Sequence, residues 1–181
     1  MANLIARSPA PDMLPLEARG THLSELWPDA IHWIAPLKGA AAELDNRLKT
    51  AGLGLPGPGR SLGDEARRIV WSGREQATLL GQLPAGLDDL AAITDVTDGW
   101  AVMALSGPLA HATLARLTPL DLRPTKFAVG ATARTDLRHM MAQITRTGPE
   151  VFEIMVMRSF TGTAVHDLTT ALTSVAAQAL D

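Results

Sequence analysis

A chain of 181 residues that is 46% hydrophobic is sized for one domain, or for two small lobes sharing a core, and has enough apolar mass to fill it. Sixteen Lys and Arg against nineteen Asp and Glu leave a net charge of −3, with no concentrated basic surface, which disfavours a nucleic-acid partner. Cysteine is absent, which removes disulfides, thiolate metal sites and cysteine nucleophiles together and agrees with a reducing compartment. No run reaches the roughly 18 apolar residues of a membrane span, and MANLIARSPAPDMLPLEARG lacks the charged and apolar regions of a secretory signal, so a cytoplasmic location is expected.

In chain order, residues 1–21 set Pro9, Pro11 and Pro15 among small and charged residues, which suits an N-terminal arm laid on a surface, its order dependent on a partner. The remainder, 22–181, reads as one domain with lobes at about 22–98 and 99–181. Residues 31–37, a short apolar run with Trp33, predict a strand, and 39–51 predict a helix in which Leu44 and Leu48 lie one turn apart. Gly52 is its stop. The stretch 52–63, GLGLPGPGRSLG, holds too many Gly and Pro for either element and predicts a surface loop. It lacks both a Gly-Lys-Ser/Thr ending and a G-x-G-x-x-G, so it does not read as a phosphate cradle.

Strands are expected over 66–71 and 76–80, joined by a tight hairpin at Ser72, Gly73, Arg74 and Glu75, with a short helix over 84–90. Residues 93–97 and 100–106 flank Asp98 and Gly99, the strongest local hairpin dipeptide in the chain, and predict a second hairpin. Alternation then puts Trp100, Val102 and Ala104 on one sheet face and Ala101, Met103 and Leu105 on the other. Ser106, ahead of Gly107 and Pro108, is placed to cap a helix over 109–117 whose buried stripe is Ala110, Leu114 and Leu117. Thr118 and Pro119 end it.

Strands over 131–137, 140–145 and 151–157 follow, and a helix over 159–178 repeats Val165, Leu168, Leu172 and Val175 at spacings of three and four. Helices that alternate with hairpin-linked strands predict an α+β fold of two small ferredoxin-like plaits with mostly antiparallel sheets. The first plait is expected from about 31 to 93 and the second from about 100 to the end; no sequence repeat links them.

Several segments in a fixed order carry a family resemblance. IVWSGREQATLL is similar to a Trp-x-Gly-x-Asp/Glu strand-turn-strand, and DVTDGWAVMALSGPLAHATLARL to an Asp-x-Ser/Thr-x-Gly strand followed by a Ser-Gly-Pro helix start. With PLDLRPTKFAVGATARTDL and RTGPEVFEIMVMRSFTGTAVHDL, the set resembles the gamma subunit of heterotetrameric sarcosine oxidase. The resemblance implies a two-lobed fold related to the N-terminal region of the glycine-cleavage aminomethyltransferase, in a complex that oxidatively demethylates N-methylglycine. It implies that FAD, FMN, NAD and tetrahydrofolate are held by partner subunits, with no cofactor in this chain. Aminomethyltransferases carry a Gly-Gly-x-x-Asp-Asp type sequence where this chain has LRHMMAQITRTG, so the family's acidic residues do not carry over. The expectation is a noncatalytic, assembly-supporting subunit. The alternatives are the equivalent subunit of a related N-methyl amino-acid dehydrogenase and a free-standing folate-binding or one-carbon-transfer protein.

Weighed on their own chemistry, the side chains point the same way. His22, His32, His111, His139 and His166 fall in different elements with no pair four apart on a helix, so no metal site is expected. Asp95, Asp98 and Asp121 sit at turns or element ends, where carboxylates accept local N–H bonds, and Asp136 on a half-buried strand reads as solvent-facing. Trp71 and Trp100 read as core. Trp27 and Trp33, near the proline-rich arm, and Arg158, ahead of Ser159 and Phe160, are the candidate partner contacts. For Arg158 the competing reading is an intrachain salt bridge with helix capping. Met140, Met141, Met155 and Met157 alternate faces; core filling is favoured over an adaptable partner patch.

Overall fold

In two central strands of this chain consecutive residues are buried on opposite faces, so the fold needs apolar layers on both sides of a sheet. Ala101, Met103 and Leu105 belong to one core and Val102 to another; Phe152, Ile154 and Val156 likewise share the first core, while Met155 joins the second. A computed structural model, described over residues 7–179, meets that need with helix, sheet, sheet and helix layers.

The strands are β1 (Leu16–Ala18), β2 (Thr21–Leu26), β3 (Ile31–Pro36), β4 (Ser61–Gly63), β5 (Arg68–Gly73), β6 (Gln76–Leu80), β7 (Ala91–Asp95), β8 (Trp100–Ser106), β9 (Thr132–Leu137), β10 (Met140–Gly148) and β11 (Val151–Met157). The helices are α1 (Ala41–Thr50), α2 (Ala110–Leu114) and α3 (Thr161–Gln178). One antiparallel sheet has the order β1-β2-β8-β11-β10-β9 and the other β4-β5-β6-β3-β7.

Leu44 and Leu48 of α1 are fully buried against Ile34, Ile69 and Leu79 on the outer face of the five-stranded sheet. Each such side chain contributes about 1.5–3 kcal/mol through burial. Ala110 and Leu114 of α2, with Ala164 and Leu168 of α3, cover the outer face of the six-stranded sheet through Leu105, Ile144 and Phe152. The inner faces meet through Ile31, Val70 and Leu80 on one side and Val102 and Met155 on the other. A polar tie crosses this layer as well: the Gln143 amide donates to the Trp71 carbonyl at 3.0 Å, and within its own sheet it donates to Thr132 Oγ1 at 2.6 Å. Among the described residues no helix is long and apolar enough to cross a membrane.

Several local expectations give way to long-range ones. The arm-and-lobe boundary expected at residue 21 or 22 falls at the start of β2, which pairs with β1 and β8, so residues 16–26 belong to the six-stranded sheet. Residues 1–6 and 180–181 lie outside the described residues. The stretch 84–90 is turn rather than helix, anchored by buried Leu87 and Leu90. The expected loop 52–63 ends in β4, because Ser61–Gly63 pairs with β5 and the Ser61 N–H reaches the Gly130 carbonyl at 2.8 Å.

Asp98 and Gly99 do not close a hairpin. The Asp95 carboxylate accepts hydrogen bonds from Thr97 N at 2.9 Å and Thr97 Oγ1 at 2.6 Å, starting a 3-10 turn over Thr97–Gly99 that carries the chain from one sheet to the other. A side chain that supplies its own turn outcompetes the dipeptide preference. Gly99 is also outside the positive-φ region that a tight hairpin of this type requires.

Ser106 ends β8 and caps nothing; α2 is shorter than expected, and its entry N–H, from Leu109, donates to Thr21 Oγ1 at 2.9 Å. Thr21 is fully buried and 88 residues away in sequence, so only the sheet brings it there. Thr21→Val keeps the shape and removes the acceptor. It is expected to lower stability by about 1–2 kcal/mol in urea titration, and a loss below about 0.3 kcal/mol would show that water replaces the hydroxyl.

Candidate functional site

The edge where the chain passes between the sheets gathers the residues singled out from the sequence. β2 ends at Leu26, and Trp27 follows it at 59% exposure. Trp33 shares a face of β3 with buried Ile31 and packs edge-on against Trp100 of β8, ring centroids 6.4 Å apart at 67°. Thr97 locks this junction: its Oγ1 accepts a bond from the Ile31 N–H at 2.9 Å while donating to Asp95. The same hydroxyl and N–H bonds from Thr97 hold the Asp95 carboxyl below its ordinary pKa.

Trp33 and Trp100 line a cleft of about 870 Å³ together with Met141 and Met157; its charged groups are Asp29, Asp95, Asp98 and Arg134. A small adjoining pocket is lined by Trp27, Arg158, Thr97, Asp98 and Trp100. Trp27, Trp33 and Arg158, far apart in sequence, therefore surround one Thr97–Trp100 turn. Met140 and Met155 are buried, whereas Met141 and Met157 are about half exposed at the cleft rim. Trp71 and Trp100, expected in the core, are only half-buried.

Among the described residues Arg158 forms neither the expected intrachain salt bridge nor a side-chain helix cap. Its guanidinium donates to the Arg7 carbonyl at 2.5 Å, tying the arm to the turn before α3, and its own carbonyl accepts from Thr161 Oγ1 at 2.7 Å. Asp121 pairs with Arg123, Nε to Oδ1 at 2.8 Å, and that guanidinium holds the carboxyl down at about 2. Asp136, His139 and His166 are exposed. Among the described residues no three His, Asp or Glu side chains are placed to hold a metal.

Two buried charges escaped the sequence reading. Glu153 on β11 is 4% exposed, and its Oε2 accepts from Arg68 Nη1 on β5 at 2.6 Å, which clamps one sheet to the other. Its other oxygen is buried with no partner among the described residues, and burial pushes the carboxyl pKa up against the opposing pull of Arg68. The available signal was a lone acid inside the apolar run VFEIMVM. Arg146, 5% exposed, donates to the Leu122, Phe127, Gly148 and Pro149 carbonyls and stacks 5.3 Å from the Phe152 centroid. It organises a loop rather than a site.

Comparison with known proteins places this arrangement. The model of the GCVT N-terminal domain matches residues 61–179. Sarcosine oxidase subunit gamma of Corynebacterium sp. (strain U-96) is 31% identical over 137 residues, 70% of this chain and 67% of that protein. The protein of the same name from Corynebacterium sp. (strain P-1) is 30% identical over 123 residues, 63% of this chain but only 61% of the relative's length. Among solved structures, a chain of heterotetrameric sarcosine oxidase from Corynebacterium sp. U-96, in complex with pyrrole 2-carboxylate, superposes with a TM-score of 0.79 at 24% identity. That match covers 94% of this chain and 96% of the other. The glycine cleavage system aminomethyltransferase T of Bartonella henselae shares the fold at a TM-score of 0.55 and 16% identity, over 82% of this chain and 45% of that one. The two-sheet α+β architecture is thus the aminomethyltransferase-like one, and the chain belongs to the GCVT N-terminal domain family and, within it, to the sarcosine oxidase gamma-subunit family.

Proposed function

We propose that this chain is a noncatalytic, assembly-supporting subunit of a cytoplasmic heterotetrameric flavoprotein that demethylates sarcosine to glycine and passes the one-carbon unit to tetrahydrofolate. Its partners are the other subunits, which hold FAD, FMN, NAD and tetrahydrofolate. The observation that carries the reading is the gamma-subunit likeness over 70% of the chain. The physical support is the concentration of exposed Trp27, Met141 and Met157 around a single inter-sheet edge, the kind of surface that protein contacts use. Three of the acidic groups have structural work: Asp95 builds a turn, Asp121 holds Arg123 and Glu153 holds Arg68.

Folate binding by the chain alone fits the cleft poorly. Three carboxylates against one guanidinium would repel the carboxylate tail of a folate. Co-expression with the flavoprotein subunits tests the reading: a stable yellow complex with one copy of this chain is expected, and omitting the chain should abolish assembly. A lone chain that binds tetrahydrofolate stoichiometrically and turns over a one-carbon donor would overturn it.

A further inference from the structure

We propose that the cleft between the two sheets receives an extended segment of a partner subunit that carries an arginine or lysine flanked by apolar residues. This rests on the functional reading above and names the occupant of its site. Charge complementarity is the first argument. Three carboxylates, Asp29, Asp95 and Asp98, line the cleft with one guanidinium, Arg134, so the cleft attracts a cation. Asp29 and Asp98 are exposed and, among the described residues, form no ion pair, which leaves both carboxylates available to a visitor.

The walls select the same chemistry. Trp33 and Trp100, set at 67°, form an aromatic corner against which a guanidinium or ammonium gains cation–π attraction, more so once water is excluded. Met141 and Met157, at 45% and 50% exposure, give the rim an adaptable apolar lining for the residues on either side of that cation. A volume of about 870 Å³ is larger than one side chain fills and accommodates a short stretch of backbone with its neighbours. Arg134 already donates to a backbone carbonyl, that of Ser72, only weakly at 3.4 Å, and can turn to a carbonyl of the incoming segment.

The experiment uses the full chain co-expressed with the flavoprotein subunits, with the photocrosslinker p-benzoylphenylalanine in place of Met157. The cross-link is expected to map to a partner-subunit segment with Arg or Lys within a few residues. Asp29→Lys with Asp98→Lys should weaken subunit affinity at least about tenfold, Asp98→Asn less, and the wild-type affinity should fall with added salt. The proposal is overturned if a complex forms while charge reversal leaves affinity within about twofold. It is also overturned if the cross-link maps to a second copy or to a segment without a cation, or if native mass spectrometry finds a small molecule in the cleft. Circular dichroism checks the folding of each variant; if the double reversal does not fold, the cross-link and Asp98→Asn decide. Failure of any complex to form is a different result, because it removes the functional reading and this inference together.

Discussion

Gly107→Ala is expected to destabilise the protein by roughly 4 kcal/mol. Gly107 has φ +118, a conformation that costs a side-chain-bearing residue about 1–3 kcal/mol. A Cβ there would also overlap the Gly20 carbonyl oxygen and lie 2.8 Å from Thr21 Cα, and overpacking of this kind adds about 1–3 kcal/mol. The yielding atoms are backbone, at the head of β2, so no rotamer change relieves the clash. The same approach lets Thr21 reach Leu109, so the Ser-Gly-Pro motif is a place where two distant strands meet closely. Ser106→Ala in the same motif should change stability by less than about 0.5 kcal/mol. Urea titrations of both variants check the pair; a Gly107→Ala loss under about 1 kcal/mol would mean that β2 moves away at little cost.

The second large effect is expected at the inter-sheet ion pair. Glu153→Ala should cost about 3 kcal/mol at neutral pH, the low end for a broken buried pair, because Arg68 keeps a side-chain exposure of 14%. Replacing both partners, as Arg68→Met with Glu153→Met, should cost less than the two single alanine changes combined, since desolvation of the charges is relieved together. The pH dependence has an unusual sign. Burial raises the folded pKa of Glu153 above its unfolded value, so the proton-linked part of its contribution is fully present below the unfolded value and is lost as pH rises through the folded one. The alanine cost at neutral pH comes instead from leaving Arg68 without its partner. Asp45, Asp64, Asp95 and Asp121 behave in the opposite way: their folded pKa values are lowered, and their contributions disappear as pH falls, for Asp121 between 3.8 and about 2. The stability of wild type relative to Glu153→Gln should therefore grow as the solution is acidified from neutrality toward pH 4. Chemical denaturation at several pH values reads this directly, and a gap that narrows on acidification would show that pairing with Arg68 outweighs burial.

Much of the secondary structure was legible in the sequence. Leu44 with Leu48, and Val165 with Leu168, Leu172 and Val175, announce α1 and α3 because helical neighbours are set by covalent geometry. The alternation in WAVMALS assigned the faces of β8, and the ferredoxin-like α+β class followed from hairpin-linked strands. What one strand does with another was not legible. Asp98 and Gly99 resemble a hairpin until Asp95 and Thr97 build a different turn, and Ser106 resembles a cap until β2 places Thr21 at that helix. The Arg68–Glu153 clamp spans 85 residues, and no local pattern encodes such a partner.

The candidate site divides in the same way. Composition and motif order determined from sequence alone that Trp27, Trp33 and Arg158 were worth attention and that the chain resembles a gamma subunit. Only the tertiary structure decided that these three residues surround one turn, that Trp33 meets Trp100, and that Met141 and Met157 open onto the cleft while Met140 and Met155 fill the core. The physical reason is the range of the interactions. Periodicity, turn chemistry and caps act within a few residues, whereas the choice of which strands pair and which faces meet is made by burial and hydrogen bonding summed over the whole chain.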